Sequence, residues 1–175
     1  AGAAQIIVTG TTRDATRLEL ARDLGADHVI DIQKENPLDR VRELTDGRGV
    51  DIVLDCTAGA GTAPVLLGVE ALKRREGVLL IQGELAAFPD FPVKKLTEKA
   101  ITIKSARGHS YRACELALAQ LASGRFPLER LSTHRLGLRE VDRAIRLLGG
   151  EEAGEDVIHI SLMPWSDTTG PELPR

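Results

Sequence analysis

The stretch that most restricts what this chain can fold into is residues 49–83, GVDIVLDCTAGAGTAPVLLGVEALKRREGVLLIQG. Val50 to Asp55 is a short apolar run closed by polar and small residues, and Gly77 to Ile81 is a second. Neither alternates strictly, which suits strands buried on both faces of a parallel sheet. A glycine-rich turn and a helix from about Thr62 to Leu72 join them, so the segment predicts one right-handed strand–helix–strand unit. The alternation continues on either side. Further strands are expected at 5–9, 28–32, 101–104 and 156–160, with a short extended piece at 131–136. Helices are expected at 15–24, 38–45, 93–98, 111–122 and 138–148. Asp14, Asn36 and Ser110 stand where caps belong, Pro37 at a first turn, and Gly25 at a helix stop. Leu18, Ala21 and Leu24 are spaced for one buried face. The fold class is α/β with a mainly parallel sheet.

Composition narrows the function. Hydrophobic residues make up 42% of 175, yet aromatics only 3%, so the core is aliphatic. A net charge of -3 without a dense basic block argues against a nucleic-acid surface. No apolar run approaches a membrane span and no signal peptide opens the chain, so cytoplasm is the expected location. Cys56 and Cys114 are far apart, without Cys or His at ligand spacing. They are expected to be buried thiols acting as small hydrophobes, not a disulfide or a metal pair.

In open parallel sheets ligands bind at the carboxyl ends of strands. Four such ends stand out: Gly10 to Arg13, Cys56 to Gly59, Gln82 to Glu84, and Ala106 to His109.

In order, RLELARDLGADHVID, GRGVDIVLDC, EGVLLIQG and THRLGLREVDRAIRLL resemble the medium-chain dehydrogenase/reductase family, in its zinc-dependent alcohol, polyol and threonine dehydrogenase branch. The resemblance covers residues 3 to about 160. It implies a Rossmann-like, doubly wound parallel sheet and an NAD(P)-dependent transfer of hydride between nicotinamide and an alcohol, polyol or hydroxy amino acid. It also implies that this chain is a C-terminal part of a longer enzyme. The family's first strand and GxGxxG turn would precede Ala1, and its zinc would sit in a catalytic domain outside this chain. Residues 1–108 would form the incomplete dinucleotide-binding domain. Residues 109–175 would return toward the catalytic domain, with a disordered tail from about 167. Without a central strand, those near Gln5 and Val50 would share no neighbour and keep unpaired edges.

The resemblance assigns no catalytic residue and no metal ligand here. It implies coenzyme contacts from Gly10, Thr11, Thr12, Arg13 and Arg17 at one strand end. Cys56 and Thr57 would line the adenosine side. Gln82, Gly83, Ala106, Arg107 and Gly108 would face the nicotinamide, through backbone groups that small residues let it approach. A side chain at Gly83 should then weaken coenzyme binding with little cost to folding. No acid follows the first strand until Asp14, whereas Arg13 offers a planar fork for a 2′-phosphate, so NADP is expected over NAD. The strand from Ile101 to Lys104 is expected at a sheet edge, pairing across a two-fold axis in a homodimer or homotetramer through Ile101 or Ile103. Proline at Thr102 should abolish that pairing.

Other readings stand beside this one. The loop from Asp55 to Gly61 resembles one that cradles S-adenosylmethionine in a methyltransferase. The same loop, with Glu84 after the next strand, could be a dinucleotide fingerprint of its own, but a lone GxG is weak. A non-catalytic nucleotide-binding module is the third. A GxGxxG within about 30 residues upstream of Ala1 would separate enzyme from module. Asp55 is expected to bond backbone amides instead of acting as a base. His109 is either near the nicotinamide or in solvent, and His28, His134 and His159 are structural. Lys73 to Glu76 reads as a solvated helix end.

Overall fold

A computed structural model describes residues 2–83, 87–89, 91–152 and 155–165. In chain order these form β1 (Ile7–Gly10), α1 (Ala15–Asp23), β2 (His28–Asp31), α2 (Pro37–Leu44), β3 (Ile52–Asp55), α3 (Ala63–Ala71) and β4 (Val78–Ile81). Then follow α4 (Val93–Lys99), β5 (Thr102–Ser105), α5 (Tyr111–Ala122), β6 (His134–Gly137), α6 (Val141–Leu148) and β7 (Ile160–Met163). The α/β alternation read from the sequence is present. The last strand is displaced: it starts at Ile160, and the expected start at Asp156 is instead irregular chain. Glu84 and the tail from 167 lie outside the described residues.

The chain divides into two compact units, 1–29 with 115–175 and 30–114, the boundaries falling inside β2 and α5. In the first unit the Asp27 and His28 amides donate to the Ile6 carbonyl at 2.9 and 3.1 Å, where β1 meets the start of β2. β6 pairs with β7 in parallel, and Leu136, Ala144, Leu147 and Val157 form a core under α6. The two parts of this unit are tied by Arg130 to Asp23, by Thr16 Oγ1 to Asp156, and by the Arg17 guanidinium to the Val157 carbonyl. On α1 the buried residues are Leu18 and Leu20. Ala21 and Leu24, expected on the buried face, are half-buried.

The second unit is a parallel sheet in the order β3-β4-β5. Its core, Val65, Val69, Leu72, Leu79 and Ile101, is aliphatic as the composition requires. α3 lies so close to the sheet that a Cβ on Gly68 would stand 3.0 Å from both Leu79 Cδ1 and Val53 Cγ1. The expectation of burial on both faces fails for β3. Ile52 is 65% and Leu54 57% exposed, because they alternate away from the face that α3 covers. Asn36 caps α2 as expected, accepting from the Leu38 and Asp39 amides at 2.9 and 3.3 Å. Residues 73–76 are not a free helix end. α3 stops at Ala71, Leu72 bridges Val50, Lys73 pairs with Asp51 at 2.6 Å, and Arg75 and Glu76 take positive φ. No helix among the described residues is long and apolar enough to cross a membrane.

Candidate functional site

The carboxyl ends of β3, β4 and β5 lie side by side, since the parallel register sets Asp55 against Ile81 and Ile81 against Ser105. Three predicted groups therefore meet on one sheet edge: Cys56 with Thr57, Gln82 with Gly83, and Ala106 to Gly108. Backbone bonds hold them. The Asp55 carbonyl accepts from the Gln82 and Gly83 amides at 2.9 and 3.0 Å, and the Ile81 carbonyl from Ala106 at 3.0 Å. The buried Asp55 carboxylate accepts from the Thr57 amide at 3.1 Å and from Thr57 Oγ1 at 2.7 Å. It shapes the turn, as an Asp at this position does when its partners lie two residues on.

Gly83 has a structural reason beyond the one the sequence suggested. A Cβ there would sit 2.2 Å from the Thr57 carbonyl oxygen, so the glycine is demanded by the close passage of β3's end past β4's. A side chain at Gly83 therefore attacks the fold itself. At Gly108, whose φ is +75°, an added Cβ would meet nothing within 4 Å. Cys56 is exposed, donating its thiol to Gln82 Oε1 at 3.6 Å, and Cys114 is exposed on α5. The expectation of buried thiols is thus corrected: Cys56 stands just past the end of β3 and Cys114 on an exposed face of α5. Desolvation, then the Asp55 charge, pushes the Cys56 thiol above its ordinary value, which keeps it protonated at neutral pH.

In the first unit Gly10 closes β1 and a short turn of 3-10 helix, Thr12–Asp14, follows. A Cβ on Gly10 would lie 3.1 Å from Leu18 Cδ2 and 3.2 Å from Asp14 Cβ, so α1 packs tightly here. Asp14 does not cap α1 with its side chain. Its Oδ2 turns back to the Thr11 amide at 3.0 Å and to Thr11 Oγ1 at 2.7 Å. Those bonds, aided by Arg17, hold the carboxyl below its ordinary value. Arg17 is engaged by Asp14 at 3.3 Å and by the Val157 carbonyl. Thr12 and Arg13 are exposed, and Arg13 has no hydrogen bond or ion pair among the described residues.

The histidines divide. His134 is half-buried, with Nε2 3.0 Å from Glu155 Oε2 and Nδ1 3.0 Å from Thr133 Oγ1, so it is held by polar contacts. His28 is half-buried within β2. His109 is exposed in a loop. His159 precedes β7 and is exposed, and its carbonyl accepts from Thr133 and His134. Sequence reasoning missed Thr45, whose buried hydroxyl donates to the Val41 carbonyl at 2.7 Å and accepts from the Gly49 amide at 3.0 Å, anchoring the loop into β3. A lone threonine after a helix carries no signal of that.

The sequence model of the family described as zinc-binding dehydrogenase matches residues 1–123. The chain belongs to that family. It is the zinc-type branch of the medium-chain dehydrogenases/reductases, as the resemblance implied, and the α/β fold with parallel sheets is the one its solved structures share. The chain is 33% identical to a sorbitol dehydrogenase of Halalkalibacterium halodurans over 150 residues, 85% of this chain and 43% of that protein. It is 34% identical to an L-threonine 3-dehydrogenase of Symbiobacterium thermophilum over 147 residues, 81% and 40%. The alcohol dehydrogenase TADH from Thermus sp. ATN1 superposes with a TM-score of 0.76 at 32% identity, over 92% of this chain and 45% of that one. The chain thus spans less than half the length of these relatives. Family membership sets aside the methyltransferase reading of the 55–61 loop. The family's metal is another matter: no three His, Cys, Asp or Glu side chains among the described residues gather where they could hold an ion. Zinc does not fit the described residues.

Proposed function

We propose that the full-length protein is an NAD(P)-dependent oxidoreductase moving a hydride between nicotinamide and the carbinol carbon of an alcohol, polyol or hydroxy amino acid, in the cytoplasm. Residues 1–108 position the coenzyme, residues 109–175 return toward a catalytic domain, and any zinc is held outside the described residues. The coenzyme, when bound, supplies the hydride chemistry; this chain's residues bind and orient it. The reading is carried by one observation: in a chain of this family, three small polar strand ends are aligned on the carboxyl edge of β3-β4-β5. Among the described residues the carboxylate there, Asp55, is buried and turned into its own loop. That leaves a polar rim, with Arg107 as its cation, for a carboxamide, with Gln82, Gly83, Ala106, Arg107 and Gly108 facing it and Cys56 and Thr57 beside the adenosine. The printed names of the relatives, sorbitol and threonine dehydrogenase, supply the polyol and hydroxy amino acid classes.

For the dinucleotide, NADP is preferred over NAD. Asp14, the acid nearest the end of β1, is committed to Thr11 and Arg17 and so is poorly placed to accept from a ribose hydroxyl. Arg13 is exposed and uncommitted. Its planar fork suits a 2′-phosphate, and Gly10, Thr11 and Thr12 flank it at the end of β1 without adding a competing carboxylate. Arg17 joins only by exchanging Asp14 or the Val157 carbonyl for the phosphate. The test is fluorescence titration of the full-length protein with NADPH and NADH, repeated on Arg13→Ala. Tighter NADPH binding, and a loss of about tenfold for NADPH alone in the variant, are expected. Equal or tighter NADH binding in the parent, or an unselective loss, overturns the preference.

Assembly follows from β5, which ends its sheet. The Thr102 amide donates inward to the Gly77 carbonyl at 2.8 Å and Ala106 inward to Ile81. By alternation the Ile103 and Ser105 amides face outward. Proline at Thr102 would therefore break the β4–β5 ladder, not an edge contact, and Ile101 is already in the core. We propose that the outward amides pair across a two-fold axis in a homodimer or homotetramer.

A further inference from the structure

At the end of the second unit away from the three strand ends, the ends of α2, α3 and α4 and the loops entering β3 and β4 line a half-open cavity of about 510 Å3. It falls within the range of small-molecule sites, roughly 300–1,000 Å3. Five of its lining side chains are cationic, Arg42, Arg48, Lys73, Arg74 and Lys99, against one acid, Glu70. The concentration is local, since the whole chain carries a net charge of -3.

The nearby carboxylates do not cancel it. Glu70 is bound to Lys95, a cation outside the lining. Asp51 pairs with Lys73 at 2.6 Å and Asp39 with Arg42 at 2.9 Å, both acids being largely exposed and so weakly held. Arg48 uses Nε on the Thr45 carbonyl at 3.2 Å, leaving its terminal nitrogens. Arg74 is exposed, with no hydrogen bond or ion pair among the described residues. Lys99 is half-buried and donates to the Val69 and Glu70 carbonyls at 2.7 and 2.8 Å. Burial first, then the charges of Arg74, Lys95 and Arg42, lower its pKa from the ordinary value.

Compensation of helix dipoles accounts for part of the cluster. The carboxyl ends of α2, α3 and α4 reach this cavity, each equivalent to about half a negative charge, and Lys99 answers the last carbonyls of α3. Five cations exceed what three half-charges ask for, and Arg74 serves no helix carbonyl at all. A concave wall whose guanidinium groups approach from separate loops suits a compact multivalent anion better than an extended acidic peptide, which would need an open groove.

We propose that this cavity binds a small polyanion of the phosphate class, a di- or triphosphate group, at the amino ends of the strands and apart from the coenzyme edge. Arg74 and Arg48 would grip it with planar forks, and Lys73 and Arg42 would exchange their exposed carboxylates for it. The inference does not depend on which dinucleotide the protein uses. The experiment is calorimetric titration of the full-length protein, saturated with its dinucleotide, using inorganic tripolyphosphate, ADP and a short polyglutamate peptide as probes. Saturable tripolyphosphate binding is expected, weakened about tenfold in each of Arg74→Ala and Arg48→Ala and partly restored in Arg74→Lys. Arg13→Ala should leave it unchanged, and Arg74→Ala should leave dinucleotide affinity unchanged. Equal binding of tripolyphosphate and ADP assigns recognition to the phosphates alone, and tighter ADP binding places the base in the cavity as well; both support the site. Absence of saturable binding, loss in Arg13→Ala instead of Arg74→Ala, or capture of polyglutamate alone overturns it.

Discussion

Replacing Gly83 by alanine tests the reading of the strand-end geometry most directly. The new Cβ would lie 2.2 Å from the Thr57 carbonyl oxygen and 3.0 Å from the Thr57 nitrogen. Relief needs a shift of about 1 Å in one of two anchored segments, since ordinary carbon contacts begin near 3.5 Å. The Gly83 amide is bonded to the Asp55 carbonyl at 3.0 Å, and Thr57 is bonded twice to the Asp55 carboxylate. Overpacking of this kind costs roughly 1–3 kcal/mol, and giving up one of those hydrogen bonds adds about 1. The sum is about 2–4 kcal/mol. At roughly 2–4 °C per kcal/mol for a unit of 150–250 residues, the transition of the domain that holds Gly83 falls by on the order of 5–15 °C. Circular dichroism melts of the full-length protein measure it, with Gly108→Ala as the control. At Gly108 nothing crowds a methyl group, and only the φ of +75° is penalised, by about 1–2 kcal/mol. A Gly83→Ala protein as stable as Gly108→Ala would refute the clash and return Gly83 to a purely coenzyme-facing role.

Other outcomes follow from single contacts. Asp14 has a folded-state pKa below its ordinary 3.8, so its contribution is complete above that value and is lost as pH falls through the lower one. The stability advantage of the parent over Asp14→Asn should therefore be constant near neutrality and shrink below pH 3.8, and denaturant midpoints showing a constant gap down to the acid limit would contradict this. Thr45→Val removes the acceptor of the Gly49 amide and should cost about 1–2 kcal/mol, read as a lower urea midpoint; an unchanged midpoint would show that the loop into β3 needs no anchor. Ser105→Pro deletes an outward amide of β5 at an exposed position and should yield a folded monomer by light scattering, whereas an unmodified protein that is already monomeric at micromolar concentration removes the edge-pairing proposal.

Much of this protein is legible in its sequence because the signals are local. Apolar runs at 50–55 and 77–81, the Asn36-Pro37 helix start and Gly25 depend on backbone preferences within a few residues, and each element formed where those preferences placed it. The grouping of Cys56, Gln82 and Ala106 on one edge was also foreseeable, since parallel strands joined by helices must align their carboxyl ends. What the sequence could not decide depends on distances between segments far apart in the chain. That Gly83 is required by the Thr57 carbonyl, that Asp14 turns back to Thr11, and that the Thr102 amide points inward are questions of ångströms and of strand register, to which residue type is blind. Lys73 and Arg74 read in the sequence as a solvated helix end, and nothing local links them to Arg42, Arg48 or Lys99. Only the parallel packing of β3, β4 and β5, which stacks the preceding loops at one end of the sheet, makes them a single charged wall.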